Sequence, residues 1–252
     1  MNEFTPEATK QENVGKNERK HAEFSMMRVM LWLGIGLLIT AVVSLTYPNL
    51  LLFIFKDDVD GMNIAYVATL AVSIVMMLVS MLVVHLKASK KDSALSPIFY
   101  LIYTISVGFL LSSTFLTILG SEQSDAIGTI SVAFFVTAGC FIVMGLIGFL
   151  TKRSLNILIP LIITLVIGAV IISLVNFFMQ SSIVYWITDF VLFGVILVIT
   201  AVDINNIKKI AEAGVFYSSL NMSIYCAFSL YVDFINIFIR VLTYVAMSKR
   251  NS

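Results

Sequence analysis

Two carboxylates stand in stretches that otherwise have the character of apolar helices: Asp203 in VILVITAVDINNIKKI and Asp233 in SLYVDFINIFIRVL. Each would cost roughly 2.5–3.5 kcal/mol or more at a bilayer centre, so such a group is expected to face a protein interior or a wet cavity. If the two side chains meet, they cannot both ionise cheaply; they share one proton and titrate as a unit. Loss of that proton leaves two like charges, a repulsion relieved by movement of the helices or by a cation. This is the chemistry of a proton-driven switch that needs no histidine. Hard divalent cations take about six to eight oxygen ligands, so Asp203 and Asp233 offer at most a weak, hydrated calcium contact. The sequence has no His or Cys cluster suited to zinc. No cofactor is expected, and calcium enters only as a species to be moved.

Asp233 has company along its helix. Steps of three or four from Ser219 give Ser223, Cys226, Ser229, Asp233, Asn236, Arg240 and Tyr244, a spacing that puts them on one face. Ser229, Asn236 and Arg240 are the candidate supporting groups for Asp203 and Asp233. The competing reading is a polar lock, with Asp233 bonded to Ser229 or Asn236 and Arg240 snorkelling outward. Asp189, close behind Tyr185 and Trp186, reads as an interfacial acid beside an aromatic belt. His85, at the end of an apolar run beside Lys87, also reads as interfacial, and His21 as a solvated tail residue.

These positions need elements to hold them. Hydrophobic residues make up 59% of the 252 and charged residues 12%, about half the charge of a soluble domain. Apolar runs at about 29–47, 63–84, 98–119, 127–149, 157–178, 183–201 and 222–247 are each near the roughly 20 residues that span a bilayer. The predicted fold is all-α and polytopic, with seven transmembrane helices in one domain over 25–252, after a flexible cytoplasmic tail over 1–24. Pro48 is expected to close the first helix, Pro97 to precede the third, and Pro160 to sit in the first turn of the fifth. The sixth helix is expected to continue past the membrane edge to Gly214. Gly139, Gly145 and Gly148 suggest close helix packing in the fourth span. Gly34 and Gly36 follow no strand and carry no nucleotide signal. Cys140 and Cys226 lie in apolar runs and suggest no disulfide.

Lys and Arg placement sets the orientation. With the N-terminus cytoplasmic, the tail and alternate loops on that side collect nearly all basic residues, whereas the other side's loops hold Lys56 among Asp57, Asp58 and Asp60. The last run is long enough to cross, which puts Lys249 and Arg250 on the less basic side. A net charge of +1 from scattered residues gives no reason to expect nucleic acid.

The last two segments resemble the Bax-inhibitor family, the membrane proteins with a transmembrane Bax-inhibitor motif, and bacterial members in particular. The likeness rests on ILVITAVDINNIKKI at 196–210 and on SLYVDFINIFIRVL at 229–242, where Leu230, Asp233, Phe234, Ile235 and Phe238 fit the pattern. In the family the first aspartate is commonly followed by Thr-Gln; here Ile204 and Asn205 follow Asp203. The resemblance implies seven helices with the last one central and wrapped by the other six. It also implies a hydrogen-bonded aspartate pair that senses pH, at Asp203 and Asp233, and a pH-sensitive calcium leak with stress-related roles. Some bacterial relatives add an Arg or Glu in the second helix, but residues 64–84 contain neither. Either Arg240 supplies that charge or the pair is tuned differently.

The leading expectation is thus a pH-sensitive calcium leak in a bacterial plasma membrane, with lipid, calcium and protons as its partners. The alternatives are a non-conducting protein that modulates a membrane partner such as a protease, and a proton-coupled cation exchanger. An enzyme is not expected. Asp203 follows Val202 and Asp233 follows Val232, without the Tyr-Asp and Gly-x-Gly-Asp motifs of intramembrane aspartyl proteases.

Overall fold

A bilayer offers the backbone no hydrogen-bonding partner, so a spanning segment without a closed barrel must be helical. The computed structural model describes residues 6–56, 58–88, 95–120, 126–213 and 220–250, with the side chains of 6–25, 117–120, 126 and 250 excepted. Its helices are α1 (Pro6–Phe55), α2 (Val59–Lys87), α3 (Leu95–Gly120), α4 (Ala126–Leu150), α5 (Ile159–Met179), α6 (Ser182–Glu212) and α7 (Leu220–Arg250), with a 3-10 turn at Leu155–Leu158. Among the described residues, all seven helices are long and apolar enough to cross a membrane. The segment read as a tail precedes the first span, which begins at Met26; residues 6–24 continue α1 as helix, and 1–5 lie outside the described residues.

Local chemistry sets several ends. Asp58 caps α2, its carboxylate accepting the Gly61 N–H at 2.9 Å. Pro160 falls in the first turn of α5, where its missing N–H costs nothing. Gln180 closes α5 in the left-handed conformation at φ 51°, and its N–H donates to the Asn176 carbonyl at 2.7 Å. The Asn176 side chain then accepts the Ser181 N–H at 3.0 Å, tying down the tight turn into α6.

Pro48 does not end α1. The helix runs on to Phe55 with Pro48 inside it, because a spanning helix can lose one backbone bond when neighbouring groups re-satisfy the freed carbonyl. Pro97 lies within the first turn of α3 instead of ahead of it, a position that also needs no amide proton. As expected, α6 continues beyond its apolar run, to Glu212; Gly214 lies outside the described residues.

The chain divides into two compact units. The first comprises Met1–Ser124 and Ile210–Tyr231. Its centre is polar-aromatic. Thr40 gives its single hydroxyl proton to the Thr104 carbonyl at 3.0 Å, so the 2.5 Å bond between Thr40 and Tyr231 has the Tyr231 phenol as donor. The rings of Tyr100 and Tyr103 stand edge-on to Tyr231, and the Tyr100 hydroxyl reaches the Trp32 carbonyl at 2.8 Å. Gly36 makes this approach possible, since a Cβ there would lie 2.2 Å from the Tyr100 oxygen.

The second unit comprises Asp125–Lys209 and Val232–Ser252. Here α4 and α6 touch backbone to backbone: a Cβ on Gly148 would lie 2.3 Å from the Ala201 carbonyl oxygen, and one on Gly145 would lie 3.1 Å from Ile204. Among the described residues nothing lies within 4 Å of a Cβ at Gly139, so the packing role expected of it does not hold. Phe234 of α7 rests between the rings of Phe134 and Phe141 of α4, with centroids 5.9 and 5.5 Å away. Burial is unequal among the spans. It reaches 61% of the most apolar stretch of α7 but only 6% of that of α5, so α7 has a protein environment to offer a carboxylate and α5 does not.

Candidate functional site

The site is built on two neighbouring spans, α6 and α7, within the second unit. Val232, Phe234 and Ile235 surround Asp233 in the chain with apolar neighbours, and α7 sinks it to 6% exposure. Asp203 lies within electrostatic reach of Asp233, and the Thr200 hydroxyl, one turn before Asp203 on α6, contacts the Asp233 carboxyl. The two aspartates therefore share a neighbourhood. Asp233 Oδ2 is buried with no hydrogen-bond partner among the described residues. An ionised carboxylate left in that state is expensive, whereas a protonated one is not.

Thr200 adds a constraint. It is fully buried and within 3.0 Å of the Ile196 carbonyl. Its hydroxyl has one proton. With that proton on Ile196, Thr200 can only accept from a protonated Asp233; to serve an ionised Asp233 it must turn its proton away from the helix backbone. The contact thus has two states, matched to the two charge states of the acid.

The supporting stripe is only partly as expected. Ser223, Cys226 and Asp233 are buried and Ser229 is half-buried, but Asn236 is exposed and donates to its own backbone, at Val232, at 2.8 Å. Ser219 lies outside the described residues. Arg240 joins neither aspartate of the pair: its guanidinium binds the Asp189 carboxylate and, at 3.2 Å, the Asp189 carbonyl. The Tyr244 hydroxyl donates to the other Asp189 oxygen at 2.6 Å. Asp189, read from sequence as an interfacial acid, is thus the hub of a second polar cluster near the N-terminal end of α6.

Sequence reasoning also passed over Asn205. Fully buried two residues after Asp203, it donates to the Gly148 and Thr151 carbonyls at 3.0 and 2.9 Å and accepts the Leu155 N–H at 3.2 Å. These bonds satisfy carbonyls left over at the C-terminal end of α4 and fix α4 to α6 beside the candidate site. Lys208 reinforces the joint, donating to the Phe149 carbonyl at 2.8 Å where a helix end favours a cation. The available signal was the amide itself, since Asn205 continues the α6 helical period at a place where Thr-Gln is the family habit. No group of three or more His, Cys, Asp or Glu is positioned to hold a metal ion among the described residues.

Fold and site together define a multi-pass α-helical membrane protein with a carboxylate pair on its last two spans. The chain belongs to the Bax-inhibitor family: the family model described as "Inhibitor of apoptosis-promoting Bax1" matches residues 23–251. It is 31% identical over 225 residues to the inner membrane protein YbhL of Escherichia coli, covering 86% of this chain and 88% of that protein. An uncharacterised membrane protein of Streptococcus pyogenes is 29% identical over 232 residues, or 92% of this chain and 93% of the relative. An uncharacterised protein of Deinococcus radiodurans is 30% identical over 222 residues, 86% and 87% of the two chains.

Proposed function

We propose that the protein is a pH-sensitive cation leak of a bacterial plasma membrane, with calcium as a permeant ion and Asp203 and Asp233 as its gate. The observation that carries the reading is the setting of Asp233, which is buried, has one oxygen without a hydrogen-bond partner among the described residues, and lies within reach of a second acid and a two-state hydroxyl. While the pair holds a proton it keeps α6 and α7 together and the path shut. Once the proton leaves, two negative charges in a low dielectric repel strongly. The helices part, and a cation crossing the gap is attracted by the charge that opened it. Two carboxylates, with no group of three or more acids among the described residues, suit a passing hydrated ion better than a resident one.

The distribution of Lys and Arg supports a cytoplasmic N-terminus and, with it, a position of the aspartates toward the cytoplasmic half of α6 and α7. The purified protein in calcium-dye-loaded liposomes tests the reading. Calcium flux is expected to be low at acid pH and to rise as the medium becomes more alkaline. Absence of flux at every pH, from protein that elutes as a single folded species, would reject the leak in favour of a non-conducting partner protein.

A further inference from the structure

Two buried side chains of the second unit each leave an oxygen unanswered. Thr137 of α4 is wholly buried, and its hydroxyl has no hydrogen-bond partner among the described residues. Asp233 of α7, 6% exposed, leaves its Oδ2 in the same state. A threonine within a helix ordinarily gives its proton to the carbonyl four residues earlier, as Thr151, Thr164, Thr200 and Thr243 of this unit do. Thr137 does not, so its proton is available to another acceptor.

The packing of α4 on α7 brings the two groups to one place. Phe134, Thr137 and Phe141 follow one another at steps of three and four, so they share a face of α4. Phe234, the residue after Asp233, rests between the rings of Phe134 and Phe141 at 5.9 and 5.5 Å. Thr137 therefore stands in the middle of this contact, recessed between two rings whose backbone positions are about 10 Å apart along the helix. The chemistry of the two oxygens defines what joins them. The Thr137 hydroxyl has a proton to give, and Asp233 Oδ2 has lone pairs to fill. The joining group must accept on one side and donate on the other. A metal ion cannot accept the proton, and a simple anion cannot donate to the carboxyl; water does both.

We propose that an internal water molecule bridges the Thr137 hydroxyl and Asp233 Oδ2, which makes Thr137 a positioning residue for the aspartate gate. The water takes the Thr137 proton and gives one of its own to Oδ2. It serves both charge states of the acid. With the acid's proton on the other carboxyl oxygen, Oδ2 is still an acceptor; with that proton gone, the bond from water becomes charge-assisted and stronger. The bridge thus lowers the cost of ionising Asp233, and α4 takes part in setting the pH at which the pair loses its proton. The titratable group facing Asp233 is Asp203 of α6; α4 brings two phenyl rings and a hydroxyl to the contact, none of which titrates. The water site stands without the leak, and only its role in gating rests on that reading.

Two measurements on the full-length protein in detergent test the proposal, and neither needs ion flux, so their failure is distinct from failure of the leak. In X-ray footprinting a bound water yields a hydroxyl radical that attacks the nearest ring. Phe234, itself only 6% exposed, should be oxidised in the parent and several-fold less in Thr137→Val, while Thr137→Ser should restore the parent's yield. Infrared spectra then read the acid directly. The carboxyl stretch of protonated Asp233, identified by its loss in Asp233→Asn, should move to higher frequency in Thr137→Val. The pH at which that band disappears should rise by about one unit, because the ionised form has lost a charge-assisted bond. A Phe234 that stays unoxidised in the parent, or is oxidised equally in Thr137→Val, would overturn the bridging water. A carboxyl band that titrates at the same pH in parent and Thr137→Val would overturn the positioning role.

Discussion

The hydroxyl of Thr200 stands between two acceptors, the Ile196 carbonyl at 3.0 Å on its own helix and the carboxyl of Asp233 on the next. A hydroxyl in this position can follow the charge of the acid by turning its single proton. Thr200→Val keeps the shape and removes the contact from a carboxyl whose Oδ2 already lacks a partner among the described residues. The variant is expected to lose about 1–3 kcal/mol of stability, read as a lower unfolding temperature in detergent. Thr200→Ser, which keeps the hydroxyl, should recover most of that loss; equal melting of all three proteins would remove Thr200 from the site.

Asn205 is expected to be the most sensitive polar residue of the α4–α6 joint. It makes three hydrogen bonds to backbone while fully buried, and at about 1 kcal/mol each Asn205→Ala should cost about 3 kcal/mol. Thermal unfolding checks this. A loss within about 0.5 kcal/mol, the usual range of a surface substitution, would mean that the end of α4 finds other partners.

Two glycines of the same helix should respond in opposite directions. At Gly148 an added methyl meets the Ala201 carbonyl 2.3 Å away, which is backbone and cannot swing aside. Gly148→Ala is therefore expected to destabilise by about 1–3 kcal/mol or more through overpacking. At Gly139, with nothing within 4 Å among the described residues, alanine should be neutral or stabilising by up to about 1 kcal/mol, the backbone freedom a helical glycine gives up. Identical melting shifts for the two variants would contradict the close α4–α6 approach.

The seven spans were legible because lipid imposes the rule that reveals them: each crossing needs a long apolar run, and no other element satisfies the backbone. The aspartates were legible for the same reason, as charges where the solvent forbids them. Partners were harder to read. Periodicity put Arg240 and Asn236 on the stripe of Asp233, yet α7 is wide enough in its surroundings that Asn236 faces outward and Arg240 meets Asp189, 51 positions earlier in the chain. Nothing in a single sequence says which two helices meet, or at what height. The same blindness misjudged Gly139, which has the residue type of Gly148 without its close neighbour among the described residues, and passed over Asn205, whose partners are backbone groups that sequence does not display.

The measurement that tests the gate most directly is calcium flux through Asp233→Asn compared with the parent protein, from about pH 5.5 to about pH 8 in liposomes. Asparagine cannot ionise and can still donate a hydrogen bond, so it imitates the proton-bearing acid at every pH. The parent's flux is expected to rise with pH while that of the variant stays at the parent's acid level throughout, and Asp203→Asn is expected to behave likewise. A variant that folds and keeps the parent's full rise with pH would show that the switch lies elsewhere and that Asp233 is a buried polar lock.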